Sequence, residues 1–220
     1  EKGTVYKDPG GRIAIALVYP NTYHVGMSNL GFQGIYGLLN SMNDVLCERV
    51  FLPDDKDIDE YVRTETEIFS MESKKPLNRF DIVAFSVSFE NDYPNILKIL
   101  ELSKIPFNAP ERSSRHPLVI MGGVCAFLNP EPVAAFFDIC FIGEADEMLP
   151  EFIDICRSCS DRNDFLRQAA TIEGVYVPKY YAISYDDAGR ITARKNSADA
   201  PVSIGRRYLE DLSDSTIKTS

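Results

Sequence analysis

The chain has 220 residues, 45% of them hydrophobic and 25% charged, with a net charge of −10. That length supports one large core, or a core with a small appendage, and the composition is that of an ordinary globular protein. No apolar run is long enough to span a bilayer, EKGTVYKDPGG at the start lacks a signal-peptide centre, and the acidic balance repels a phosphate backbone. Neither membrane nor nucleic acid is therefore an expected partner of this segment.

Apolar strings recur with helical text between them. RIAIALVYP (12–20) is the first strand candidate, and SNLGFQGIYGLLNSMND reads as a helix capped by Ser28. VLCERVFLP (45–53) is a second strand, followed by the acidic helix DDKDIDEYVR (54–63) and a short extended piece, TEIFSMES (66–73). DIVAFSV (81–87) is the third strand and NDYPNILKILELSKI (91–105) a helix that tolerates Pro94 in its first turn. PLVIMGG (117–123) and DICFIG (138–143) are strands four and five, separated by the short helix EPVAAFF. EADEMLPEFIDICRS then supplies another helix. Strands that are apolar on both faces and alternate with helices lie parallel, covered on both sides. The expectation is an α/β domain over residues 12–158, a doubly wound five-stranded parallel sheet. Residues 159–220 read as a small α+β connector: a helix from RNDFLRQAATIEG, then a hairpin from VYVPKYYAISYDDAGRITARK.

Ligands of such sheets lie across the carboxyl ends of the strands. The tips offer His24 and Gly26 after strand one, Ser86 and Ser88 after strand three, Gly122 and Gly123 after strand four, and Glu144 after Gly143. Glycines permit close backbone approach and serines single hydrogen bonds. His24 is suited to acid–base work or metal ligation, or to a contact with a ligand or a second domain. The acidic residues Glu144, Asp146 and Glu147 also suit the first turns of a helix. No G-x-G-x-x-G turn follows the first strand and no G-K-S/T is present, so NAD and ATP fall away. The five cysteines form an odd set with two in apolar strings, as expected of buried thiols in a cytoplasmic chain; Cys156-Arg157-Ser158-Cys159 is half a tetrahedral metal site at a helix end.

YPNTYHVGMSNLGFQ, FDIVAFSVSFENDYPN, MGGVCAFLNPEP and FIGEADEMLPEF together resemble the cobalamin-binding-like N-terminal domain found ahead of radical SAM domains, in an uncharacterised radical SAM protein family. The resemblance implies a flavodoxin-like strand order 2-1-3-4-5 and a connector leading from residue 159 to a catalytic radical SAM domain of the same chain. It implies cobalamin as a ligand of the tip residues, His24, Gly26, Ser86, Ser88, Gly122, Gly123 and Glu144. Cobalamin domains of this kind carry Asp-x-His-x-x-Gly after the first strand. Here Thr22 stands in the place of the Asp and Gly26 comes one position early, while Gly122-Gly123 is kept. Radical SAM chemistry needs C-x-x-x-C-x-x-C for a [4Fe–4S] cluster and S-adenosylmethionine, and the five cysteines do not have that spacing. The resemblance thus implies an accessory domain that covers the catalytic barrel and positions substrate or cofactor, without catalysis of its own. A genuine cobalamin-binding domain and a non-catalytic interaction module are the alternatives.

Overall fold

The computed structural model describes residues 3–159, 161–197, 200–209, 211 and 215. Its centre is a sheet of β1 (Ile13–Tyr19), β2 (Val45–Phe51), β3 (Ile82–Ser86), β4 (Leu118–Gly122), β5 (Ile139–Phe141) and β6 (Val175–Tyr176). The order is β2-β1-β3-β4-β5-β6; the first five strands are parallel and β6 runs antiparallel to β5. The implied order 2-1-3-4-5 is therefore present, but the sheet has six strands rather than five. The sixth comes from the stretch read as connector. Val175 and Tyr176 sit at the head of a long alternating string, which hides them in the sequence as part of the hairpin that follows.

Alternation within β1 builds two cores. Ile15, Leu17 and Tyr19 face α2 (Leu30–Ser41), α6 (Ala145–Ser158) and α7 (Arg162–Ala169). Ala14, Ala16 and Val18 face α4 (Tyr93–Leu102) and α5 (Val124–Leu128). Both faces are covered, which is why the strands read as unbroken apolar runs. The helix expected from Ser28 is α2, and a separate short helix, α1 (Tyr23–Met27), precedes it. Asn29, not Ser28, caps α2: its Oδ1 accepts the Phe32 N–H at 2.8 Å, while the Ser28 hydroxyl closes α1 on the Val25 carbonyl.

β2 is an edge strand with all seven residues buried. After α3 (Asp55–Thr64), the extended piece TEIFSMES folds back on itself at Phe69 and Pro76 and covers that edge; the Met71 N–H donates to the Arg49 carbonyl at 2.8 Å. Arg49 meets Glu72 at 2.7 Å inside this cover, and its guanidinium lies 4.7 Å from the Tyr36 ring. An edge closed in this way presents no free ladder to another chain. Beyond the sheet, β7 (Tyr181–Tyr185) and β8 (Ile191–Asn196) form the expected hairpin, with Asp186 accepting from the Ala188 and Arg190 N–H groups across the turn.

Candidate functional site at the strand tips

Because β2 and β3 flank β1, the direction of winding reverses between β1 and β3, and a crevice opens where their carboxyl ends diverge. Side chains bridge that crevice. The Asn21 amide donates to Asp92 Oδ1 at 2.7 Å, and Asn95 donates to the Pro20 carbonyl at 2.9 Å, tying the β1 tip to the start of α4. Asn29 donates to Ser88 Oγ at 3.1 Å while it caps α2, tying the same tip to the end of β3. Asp92 is buried with Oδ2 lacking a hydrogen-bond partner. Burial pushes its carboxyl pKa up; the Asn21 and Asn95 amides pull against that.

A carboxyl whose folded pKa is raised opposes folding above that pKa and is relieved as pH falls through it. Asp92→Asn should therefore stabilise the fold at neutral pH by about 1 kcal/mol, the order of a relieved buried polar group. The gain should shrink as pH is lowered through the raised pKa. Denaturant melts of both proteins over a pH series check this, and a variant less stable than the parent at neutral pH would contradict it.

Ser86, Gly122 and Gly123 come together. They line a cavity of about 80 Å³ between the sheet and helices α2 and α6, walled by Ile35, Leu39 and Phe152. Above Gly122 there is open space, whereas a side chain on Gly123 (φ +95°) would meet the Val87 carbonyl at 2.6 Å. The other expected residues lie elsewhere. Gly26 is buried against the sheet, where a Cβ would sit 2.4 Å from the Phe51 ring, so its smallness seats α1. His24 is exposed on α1 with its ring edge-to-face against Tyr23 at 5.5 Å.

Glu144 meets the chain's own later segment. Arg207 forms a parallel bridge with Gly143, its N–H donating to the Ile142 carbonyl at 3.0 Å and its carbonyl accepting from the Glu144 N–H at 2.9 Å. The Glu144 carboxylate accepts the Leu209 N–H at 2.7 Å, and Arg207 pairs with Glu147 at 2.7 Å and Glu151 at 2.8 Å. Those two carboxylates hold the guanidinium pKa above its ordinary value. Gly143 adopts φ +140° and a Cβ there would fall 2.0 Å from the Arg207 carbonyl oxygen, so only glycine admits this strap.

Around the crevice, the connections leaving β1, β3 and β4 expose apolar side chains, as does the strap over β5. Val25 and Leu30 follow β1, Phe89 follows β3, Val124 and Leu128 follow β4, and Tyr208 lies on the strap over β5. Their exposure runs from 38% (Val25) to 64% (Leu128), on a face where a self-contained domain would be polar. Sequence reasoning selected small and polar tip residues and missed these, along with Asn29, Asp92 and Arg207. Asn29 carried a signal, since an Asn directly before an apolar-periodic run is a cap candidate.

Cofactor chemistry finds little purchase on this chain's own residues. Cys47, Cys125 and Cys140 are buried, Cys156 and Cys159 half-buried. Among the described residues no group of three or more His, Cys, Asp or Glu side chains is placed to hold a metal. Burial pushes the Cys156 thiol up to about 12. These residues do not fit an iron–sulfur cluster. Nor does the tip fit a corrinoid: His24 lies outside the cavity, the Arg207 strap occupies the β5 tip, and the cavity of about 80 Å³ is smaller than the ~150 Å³ that accepts a benzene.

Among known proteins, the family model for the N-terminal region of radical SAM proteins matches residues 31–178. An uncharacterized protein of Methanocaldococcus jannaschii is 24% identical over 185 residues, covering 84% of this chain and 33% of the relative. The chain thus spans about a third of the length of that relative. No solved structure matches. Since the matched region takes in more than half of the chain and contains β2 to β6, the chain belongs to the family of radical SAM protein N-terminal domains.

Proposed function

We propose that this chain is the accessory domain of a cytoplasmic radical SAM enzyme and that its strand-tip face docks on the catalytic domain, which holds the [4Fe–4S] cluster and S-adenosylmethionine. The observation that carries the reading is the set of exposed apolar side chains on the tip connections, Leu30, Phe89, Val124 and Leu128 foremost. A face of this kind, with Asn21, Asn29, Asn95 and Ser88 already bonded across the crevice, is suited to burial against protein. The domain's contribution is shielding and positioning: it excludes water from the facing site and fixes the substrate's approach, while the cofactor carries the hard chemistry.

The test uses the full-length protein. Leu30→Glu and Phe89→Glu place charges in the contact and should lower S-adenosylmethionine cleavage about tenfold or more, as for loss of an interface hot spot. Val62→Glu, on α3 away from the tips, carries a comparably exposed apolar residue at 61% and should leave cleavage unchanged. Equal effects at Val62 and Phe89, or none at either tip residue, would overturn the docking reading.

Cobalamin binding at this face is the competing reading. The cavity size and the strap across β5 favour docking without it. Titration of the full-length protein with cobalamin should then leave the cobalamin visible spectrum unshifted, and His24→Ala should not change cleavage. A shifted spectrum lost in His24→Ala would establish cobalamin instead.

A further inference from the structure

The net charge conceals a local reversal. Between Tyr176 and Leu209 the chain has six Lys and Arg against three Asp and no Glu. Two of the cations are spoken for, Arg190 by Asp186 and Arg207 by Glu147 and Glu151. Arg194, Lys195 and Arg206 have no acidic partner among the described residues.

Arg194 and Lys195 line a cleft of about 730 Å³ between the β7–β8 hairpin and α5, and Arg206 lies over Phe127, which also lines it. Four aromatic residues, Phe127, Tyr176, Tyr181 and Tyr185, are among those that line it. Tyr176, buried, and Tyr181 meet with tilted rings 5.1 Å apart, and Tyr185 is 60% exposed. Across from them the Arg206 guanidinium lies over the Phe127 ring at 4.0 Å and also approaches the Tyr208 ring at 5.7 Å. Arg194 is paired across the hairpin with Ile183, on the cleft side, and Lys195 lies beside it. The carboxylate of Glu131, which also lines the cleft, is engaged by the Tyr176 hydroxyl at 2.7 Å.

Cations without an acidic partner among the described residues, beside an exposed aromatic ring such as Tyr185, are the combination that holds phosphates while bases stack. We propose that the hairpin cleft binds single-stranded nucleic acid, with phosphates at Arg194 and Lys195 and bases stacked on Tyr185 and on the Arg206–Phe127 pair. An acidic peptide would use the cations but leave the rings idle, so the rings favour nucleotides. Repulsion from the acidic remainder of the surface is screened beyond about 8 Å at physiological ionic strength, so a local patch acts on its own. The cleft adjoins the strand-tip face at α5, and its test reads oligonucleotide binding, which the docking reading does not predict.

The test is fluorescence anisotropy of a short labelled oligouridylate with the full-length protein over a salt series. Binding should be saturable and should weaken with salt. Arg194→Ala with Lys195→Ala should reduce affinity and shrink the slope of log affinity against log salt by roughly 1.4, the share of two phosphates on a single strand. Tyr185→Ala should weaken binding about tenfold through lost stacking, and Arg206→Ala probes the opposite wall independently. Competition by uridine monophosphate with the same residue dependence would support the site with a free nucleotide as its natural source. Binding that is indifferent to all of these substitutions, or a polyglutamate peptide that competes equally well and without regard to Tyr185, would overturn the proposal.

Discussion

Gly143→Ala should cost about 3 kcal/mol of stability and release the strap from the β5 tip. The φ of +140° is open to glycine and costs other residues about 1–3 kcal/mol. The new Cβ would also collide with the Arg207 carbonyl, 2.0 Å away, which forces apart the two backbone hydrogen bonds made by Arg207. Each is worth about 1 kcal/mol. Arg207→Ala should be milder, about 1 kcal/mol, because its pairs with Glu147 and Glu151 are partly exposed and the backbone bridge survives. Hydrogen exchange at 142–144 and 205–209 should accelerate strongly in Gly143→Ala and weakly in Arg207→Ala. Parental stability in Gly143→Ala would show that the bridge does not hold the segment.

At the opposite end of the sheet, Asp138→Ala should destabilise by about 3–5 kcal/mol, the range for breaking a buried ion pair. Asp138 accepts the Val119 N–H at 2.9 Å and meets Arg112 at 3.2 Å and Arg162 at 2.8 Å. Arg112 is fully buried and its remaining nitrogens donate to the Pro106, Phe107 and Phe136 carbonyls, so it has no route to water when the carboxylate is lost. Arg162 begins α7 and also donates to the His116 carbonyl at 3.1 Å. Asp138 thus binds the stretch after residue 158 to the parallel sheet. Asp138→Asn keeps an acceptor for Val119 but removes the charge, so its loss should fall below that of alanine. Equilibrium denaturation orders the three proteins, and Asp138→Ala within 1 kcal/mol of the parent, about the worth of an ordinary exposed pair, would contradict the account.

How far the sequence could be read depended on whether a contact was periodic. β1 to β5 were legible because both faces of each strand are buried, and such strands read as apolar runs. β6 was not, since two residues carry no period of their own. The strap was invisible for a related reason: Arg207 binds through its backbone and through the absence of a side chain at Gly143, neither of which has a hydrophobic signature. Glycines at the tips were legible as special but not for their cause. Gly26 seats α1 on Phe51 and Gly123 admits the Val87 backbone, whereas Gly122 alone of the three faces open space. The total charge likewise averaged away the cations around the hairpin. Exposure of Leu30 and Phe89 could not be read at all, because an apolar residue beside a strand tip looks the same whether it turns inward or outward.

Hydrogen exchange in the full-length protein tests the central claim most directly. If the strand-tip face is docked, backbone amides of 23–30, 88–91 and 124–128 should exchange at least about tenfold more slowly than those of the exposed loop at 113–115. Leu30→Glu with Phe89→Glu should abolish that difference. Tip connections that exchange as fast as the loop in the parent protein would contradict the account.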